Sequence, residues 1–330
     1  RKTQQDLLLD DSLDVPLVLV AHDLSPADML QCKKSVFAGF VTDVGGKTSH
    51  TAIVARSMDI PAVVGARAAS QLVRQDDWVI IDGDAGVVIV DPSPIILAEY
   101  GFRQRQIELE RERLGRLRHT PCVTLDGQKV ELLANIELPA DGVTAIAVGA
   151  VGVGLFRTEF LFMGRSGKLP DEEEQYLAYR EAVDAMQGLP VTIRTLDIGA
   201  DKPLDRARKD DSLNPALGLR AIRWSLADPA MFRTQIRAVL RAAAHGRVNM
   251  MFPMLVNAEE IRQTLAHVRL AQAELDDRGA VYGAVRLGAM IEVPAAALTV
   301  RMFLRHFDFL SIGTNDLIQY TLAIDRADEA

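Results

Sequence analysis

A repeated order of strand-like and helix-like segments from residue 121 onward constrains the fold more than any other feature of this chain. Short apolar runs alternate there with helical stretches such as DEEEQYLAYREAVDAM at residues 171–186. The strand-like runs span residues 129–136, 151–159, 190–199, 248–255, 286–294 and 307–316. Repeated strand-then-helix units predict a parallel sheet, and apolar strands predict a sheet that is covered on both faces. We therefore predict an α/β fold in which residues 121–330 form a TIM-type (β/α) barrel.

Six strand-and-helix units fall short of the eight that a closed barrel of this type contains. A sheet that stays open leaves strand edges without partners. We therefore expect an incomplete barrel, in a fragment that stops before the barrel's C-terminal end.

The first part of the chain has a more compact pattern. β-rich runs and one helix-like stretch alternate at residues 15–21, 36–43, 50–58 and 60–65. Residues 77–92 place two apolar runs around Asp-Gly and Ala-Gly, which is typical of a β-hairpin. These signals predict a small α/β domain over residues 1–94.

Residues 95–120 change character, because Arg and Glu crowd together there. Tyr100, Ile107 and Leu114 recur at sevenfold spacing and form a narrow apolar stripe on a charged helix. The helix either packs along one edge of a domain or links two domains that move separately. These two interpretations are compatible.

Composition narrows the function classes. The formal net charge of −8 offers no general affinity for nucleic acid, which calls for a basic face. The most apolar stretch, residues 142–156, is too short and too rich in glycine to cross a membrane, which takes about 20 apolar residues. Cys32 and Cys122 form no metal-binding pattern. We therefore expect a cytoplasmic protein with reduced thiols and no nucleic-acid or membrane partner.

His50 follows a glycine turn in GGKTSHTAIVAR, residues 45–56. The two glycines permit a tight turn, and Thr48 or Ser49 can cap the helix that follows. Free N–H groups at a helix N-terminus favour an anion, and a neutral imidazole is a nucleophile near pH 7. A phosphoryl group carried by His50 would be held by these amides. The alternative is a polar histidine at a helix start with no special role.

Charged and polar side chains lie near the ends of the predicted barrel strands, and such strand ends converge on one mouth. They are Arg157, Arg194, Glu292, Asn315 and Asp316, with Arg326 shortly after them. Arginines suit phosphate and carboxylate groups, whereas two carboxylates suit Mg²⁺. The set would bind a small, highly anionic phosphate ester together with its metal.

Each of these side chains also has a purely structural alternative. Arg157 could pair with Glu159, and Arg194 could pair with Asp197. Asp316 could instead cap a helix.

Two strings of this sequence carry a resemblance to a known family. GGKTSHTAIVAR resembles the phosphohistidine signature of the phosphoenolpyruvate-utilising enzymes, and DFLSIGTNDLIQYTLAIDR, residues 308–326, resembles their second signature. GLFRTEFLFM at residues 154–163 and NPALGLRAIR at residues 214–223 look most like Enzyme I of the bacterial sugar phosphotransferase system. The resemblance extends over essentially the whole chain.

The resemblance implies a swivelling phosphohistidine domain followed by a barrel. In such an enzyme, phosphoenolpyruvate phosphorylates the histidine that corresponds to His50, and the carrier HPr then receives the phosphoryl group, which energises sugar uptake. The implied substrate-binding residues are Arg157, Arg194, Asn315, Asp316 and Arg326. The implied Mg²⁺ ligands are Glu292 and Asp316, and Arg220 is a weaker candidate for the same pocket. A homodimer is expected for the full-length protein.

The resemblance also leaves alternatives open. The family pattern also includes a helical HPr-docking domain and a proton-donor cysteine; we expect the first to precede residue 1 and the second to lie beyond Ala330, since neither Cys32 nor Cys122 matches its position. A nitrogen-related regulatory paralogue of Enzyme I would use the same phosphotransfer chemistry. A pyruvate phosphate dikinase or phosphoenolpyruvate synthase would need a nucleotide-binding domain, which this sequence does not show.

Overall fold

The computed structural model describes residues 17–24, 37–46, 55, 60–163, 168–198 and 216–324. The chain divides into two compact units, Arg1–Leu117 and Arg118–Ala330. His50 and Arg326 lie outside the described residues, so their roles stay predictions. Within the described ranges, no helix combines the length and the apolar character that crossing a bilayer requires.

The first unit contains a small parallel sheet and a hairpin. The sheet has the order β1-β2-β3, with β1 at Leu17–Ala21, β2 at Phe37–Thr42 and β3 at Ala62–Val63. A short helix, α1, spans Ala69–Leu72. Strands β4 (Val79–Asp82) and β5 (Val87–Val90) pair in antiparallel fashion and confirm the predicted hairpin.

The charged segment forms one long helix, α2, at Pro94–Gly115. Ser93 precedes it as the N-cap, and Pro94 occupies the first helical position, where a missing N–H costs nothing. No residue of α2 is buried against the described part of the chain, and Ile107 and Leu114 of the apolar stripe are both more than half exposed. A short 3₁₀ helix follows at Arg116–His119.

The second unit is built on six parallel strands that pair in the order of the sequence, β6 to β11. The strands are β6 Ala134–Ile136, β7 Val153–Arg157, β8 Val191–Arg194, β9 Val248–Phe252, β10 Val285–Ile291 and β11 Phe309–Ile312. The helices are α3 Asp141–Ala147, α4 Glu159–Phe162, α5 Glu172–Ala185, α6 Ile222–Ala227, α7 Pro229–Ala242, α8 Ala258–Asp277, α9 Pro294–Leu298, α10 Val300–Phe303 and α11 Thr314–Leu322. This alternation confirms the predicted α/β class with an incomplete barrel sheet.

Helix α7 covers the middle of this sheet and shows why the unit folds. Asp228 caps its N-terminus by accepting a hydrogen bond from the Met231 N–H at 3.1 Å. Its apolar side includes Phe232, which is fully buried and meets Phe252 of β9 edge to face, with ring centroids 6.2 Å apart. Truncating such a side chain to alanine costs about 3–5 kcal/mol. The core therefore holds the strand ends in fixed positions.

The predicted strands are longer than the observed ones, and in two cases the structure shows what replaces the strand. Residues 129–136 were expected to form one strand, but only β6 is regular, since the preceding segment folds back in a turn in which Thr124 and Gln128 exchange hydrogen bonds. The run at 307–316 ends as a strand at Ile312, and α11 begins at Thr314. Asn315 and Asp316 therefore lie on the first turn of a helix rather than on a strand.

Candidate functional site

Three acidic side chains meet where the parallel strands end. Asp197 follows β8, Glu292 follows β10, and Asp316 lies on the first turn of α11. One carboxylate oxygen from each lies within 4.8 Å of the others. Glu292 and Asp316 are buried, and the side chain of Asp197 is almost entirely covered. We call this set the acidic cluster; it could hold a metal ion.

The surroundings of Glu292 fix its carboxylate in place. Its Oε1 accepts a hydrogen bond of 2.7 Å from the N–H of Met254, a residue held at a φ of 59°. A Cβ at Gly313 would come within 2.5 Å of Glu292 Oε2, so glycine is needed there. Burial raises the pKa of Glu292 to about 8, and the negative charge of Asp197 acts in the same direction.

Arg194, the last residue of β8, balances part of this negative charge. Its Nη1 lies 2.9 Å from Asp197 Oδ2, and its Nη2 lies 2.8 Å from Glu159 Oε1. Burial alone would lower the pKa of Arg194, but the charges of Glu159 and Asp197 outweigh it and hold that pKa above its ordinary value. The guanidinium therefore stays charged although it is buried.

Arg220 is the second buried cation of the site. Its Nη2 donates to Asp197 Oδ1 at 3.2 Å, and its Nη1 lies 3.7 Å from Asp316 Oδ1. Nη1 also donates to the hydroxyl of Tyr320 at 3.0 Å, and that hydroxyl donates to the carbonyl of Ala216. Asp197 thus divides its two oxygens between Arg194 and Arg220.

Charge counting shows what the arrangement favours. Among the described residues, four carboxylates, those of Glu159 and the acidic cluster, face two guanidinium groups. When all six groups are ionised, this described set carries an excess of negative charge at low dielectric, which a bound cation would offset. The acidic cluster offers only oxygen atoms, which hard divalent cations prefer.

The structure assembles only part of the predicted set. Arg194, Glu292 and Asp316 come together, whereas Asn315 is exposed on α11. Arg157, at the end of β7, forms an ion pair of 2.8 Å with Glu137 and remains partly exposed. The alternative pairing of Arg157 with Glu159 is therefore wrong, since Glu159 binds Arg194.

Sequence reasoning underrated two members of the site. Asp197 was considered only as a partner of Arg194; it is that partner and also a member of the acidic cluster. Its position three residues after Arg194, still at the end of the same strand-like run, was the available signal. Arg220, considered a weaker candidate, occupies a central place that its loop position in the sequence did not reveal.

Comparisons with known proteins agree with the geometry. Residues 111–330 match the family described as "PEP-utilising enzyme, PEP-binding domain", and residues 13–86 match "PEP-utilising enzyme, mobile domain". A phosphoenolpyruvate-protein phosphotransferase of Cupriavidus necator is 65% identical over 328 residues, which are 98% of this chain and 56% of that protein.

Other relatives bear the same name. The protein of Geobacillus stearothermophilus is 48% identical over 95% of this chain and 54% of its own length, and that of Staphylococcus carnosus is 45% identical over 96% and 55%. This chain thus spans about half the length of the curated relatives that it matches. A solution structure of an Enzyme I protein is 45% identical over 29% of this chain and 39% of that chain, with a TM-score of 0.28.

Proposed function

The chain belongs to the phosphoenolpyruvate-utilising enzymes, and from that premise we propose that it takes the phosphoryl group of phosphoenolpyruvate onto His50 and passes it to an HPr-type carrier protein. The observation that carries the proposal is the pair of buried arginines set against the acidic cluster at one end of the parallel sheet. Phosphoenolpyruvate carries a phosphate and a carboxylate, the two groups that planar guanidinium donors recognise.

The arginines are ready to receive such an anion. Among the described residues, the buried Nε atoms of Arg194 and Arg220 have no hydrogen-bond partner, although each guanidinium is already fixed by carboxylates. A preorganised cation stabilises charge that develops during transfer because it need not reorient at that moment. Arg157 and Arg326 would place further positive charge beside the substrate, and Asn315 would contact its phosphate.

The acidic cluster fits Mg²⁺ by its chemistry. Glu292 and Asp316 were the ligands expected from the sequence, and Asp197 offers a third oxygen close to both. When bound, Mg²⁺ would supply charge neutralisation for the transferring phosphoryl group. The raised pKa of Glu292 fits a carboxylate whose favourable partner is a cation rather than solvent.

Further proposals concern the whole protein. Residues 1–94 would carry His50 as a swivelling domain, and residues 95–120 would act as its lever. The protein would be a cytoplasmic homodimer that energises sugar uptake. The charged α2 supports a connecting role because none of its residues is buried against the described part of the chain.

Direct binding of phosphoenolpyruvate tests the substrate half of the proposal. In calorimetry with Mg²⁺ present, the whole protein with His50→Ala binds phosphoenolpyruvate without consuming it. Adding Arg194→Ala should weaken binding by about 2–4 kcal/mol, the range for one strong contact in a preorganised site. Arg233→Ala, which removes a partly exposed arginine paired with Glu274, is the matched control. Equal affinities in the two variants would contradict the assignment.

A further inference from the structure

A chain of buried polar side chains lies outside the acidic cluster and its arginines. Thr158, Gln175, Tyr179 and Gln235 are each no more than 1% exposed, and they come from the β7–α4 junction, α5 and α7. Polar groups in a core are costly unless they are hydrogen-bonded. These four are bonded to one another and to the end of β8, so their arrangement needs an explanation beyond packing.

Gln235 is the centre of this chain. Its Oε1 accepts from the N–H of Leu196 at 2.9 Å, and its Nε2 donates to Thr158 Oγ1 and to Tyr179 Oη, each at 3.1 Å. The backbone N–H of Leu196 can only donate, so the amide orientation is fixed. The carbonyl oxygen and both N–H groups of the side chain are therefore in use.

Each of the two hydroxyls beside Gln235 already donates its proton to another acceptor. Thr158 Oγ1 donates to the carbonyl of Arg194 at 3.0 Å, and Tyr179 Oη donates to Gln175 Oε1 at 3.1 Å. The Nε2 of Gln175 donates to the carbonyl of Pro170, which fixes the orientation of that amide too. Each hydroxyl must then accept from Gln235, and an amide is the group that offers two donors and one acceptor there.

The contacts converge on the end of β8. Gln235 holds the Leu196 N–H directly and the Arg194 carbonyl through Thr158, on either side of Thr195. The side chains of Arg194 and Asp197 leave this same segment and form the ion pair of the site. A shift of the segment would therefore move both charges at once.

We propose that Gln235 is a positioning residue that aims Arg194 and Asp197 by locking the end of β8 through a directional hydrogen-bond chain. The inference rests on the proposed function, since the reaction that it serves is phosphoryl transfer from phosphoenolpyruvate. Gln235 touches no substrate; it acts through the backbone on both sides of Thr195.

The substitution Gln235→Glu tests the direction of the chain at constant shape. A carboxylate can only accept hydrogen bonds, whereas each of the two hydroxyls beside it needs a group that donates. We expect the single-turnover rate of phosphorylation by phosphoenolpyruvate to fall about 10- to 100-fold, as a misplacement of about 1 Å can cost up to the larger factor. Measurements on the whole protein at several substrate concentrations separate this rate from KM.

Tyr179→Phe is the matched control. It removes one contact of Gln235 and the contact with Gln175, but it leaves both links to the end of β8 intact. Burial raises the pKa of Tyr179, so the hydroxyl that is lost is a protonated donor. We expect a lower unfolding midpoint for Tyr179→Phe and a much smaller loss of phosphorylation rate than for Gln235→Glu, because both links to the end of β8 remain.

A second pair of variants covers the case in which Gln235→Glu does not fold. Thr158→Val removes the link to the Arg194 carbonyl and should slow phosphorylation, whereas Thr158→Ser keeps the hydroxyl and should restore the rate. Rates for Gln235→Glu and Thr158→Val no lower than the rate for Tyr179→Phe would overturn the positioning role. Failure of the unmutated protein to accept a phosphoryl group would instead reject the proposed function.

Discussion

Asp197 organises the candidate site at the scale of single residues. One of its oxygens faces Arg194 at 2.9 Å and the other faces Arg220 at 3.2 Å, while an oxygen also lies within 4.8 Å of Glu292 and Asp316. It therefore connects the cations to the acidic cluster. Removing it would take one ion-pair partner from each arginine and one oxygen donor from the acidic cluster.

The acidic cluster predicts how the reaction responds to Mg²⁺. Loss of one carboxylate would leave the proposed Mg²⁺ with fewer ligands beside the proposed anionic substrate. Glu292→Ala and Asp316→Ala should each raise the Mg²⁺ concentration for half-maximal phosphorylation at least about tenfold, the lower end of the loss seen when a ligand's own hydrogen-bond partner is removed.

A metal titration of phosphorylation in the whole protein checks this prediction. Glu259→Ala serves as the control, because Glu259 is an exposed acid on α8 that pairs with Arg262. Titration curves of Glu292→Ala and Asp316→Ala that overlay the curve of the unmutated protein would remove these residues from the metal site.

His267 predicts a pH dependence of stability. Its ring packs edge to face on Phe232, and burial, assisted by the charge of Arg233 and opposed by Glu274, lowers the pKa of His267 below its ordinary 6.5. The unfolded chain therefore takes up this proton first as the pH falls. The free energy of unfolding should decrease as the pH drops through about 6.5.

Denaturant unfolding between pH 5 and 8 measures this contribution. His267→Gln should flatten the decrease below about pH 6.5. A decrease of the same steepness in His267→Gln and the unmutated protein would contradict the prediction.

The sequence identified Arg194, Glu292 and Asp316 because polar residues that follow apolar strand-like runs gather at one end of a parallel sheet. It could not show the importance of Asp197, since an aspartate three residues after an arginine is equally consistent with a simple ion pair. It also could not show the central place of Arg220 in the site. The pairing of Arg157 with Glu137 could not be predicted from the sequence either, because it depends on which strand lies beside β7.

At the scale of elements, helix α5 shows how local sequence determines a boundary. The four acidic residues at 171–174 suit a helix N-terminus, and the structure adds a reciprocal pair of bonds. Asp171 Oδ1 accepts from the Glu174 N–H, and Glu174 Oε2 accepts from the Asp171 N–H, both at 2.9 Å. Local chemistry alone explains why this helix was predicted with nearly correct bounds.

Removing the cap has a calculable effect. Asp171→Ala should lower the free energy of unfolding by about 1 kcal/mol, because the Glu174 N–H loses its side-chain partner. Glu181→Ala, an exposed position on the same helix, should change it by less than about 0.5 kcal/mol. Equal effects of the two substitutions in denaturant unfolding would show that the cap contributes nothing.

The strands that were predicted with wrong limits show where local signals fail. The run at 129–136 is apolar enough for a strand, but Lys129 in its first half pairs with Val123 of the preceding turn. The helix α11 begins inside the run at 307–316, directly after Gly313 passes close to Glu292. The first limit depends on a local turn, whereas the second lies where two segments distant in sequence meet.

At the scale of the whole molecule, two units with separate cores have different proposed roles. The first unit contains the segment with His50 and ends in α2, and the second contains the acidic cluster and its arginines. Transfer of a phosphoryl group between them requires that the two meet. The sequence predicted both chemistries from two separate signatures, but a pattern along one chain does not encode the approach of two bodies.

Mapping the phosphorylated residue tests the central claim most directly. The whole protein is incubated with phosphoenolpyruvate labelled in its phosphoryl group and with Mg²⁺, and the acid-labile label is located by peptide mapping. We predict one labelled site, His50, and no label in His50→Ala or when Mg²⁺ is chelated. Label retained at full level in His50→Ala, or found on another residue of the unmutated protein, would contradict the account.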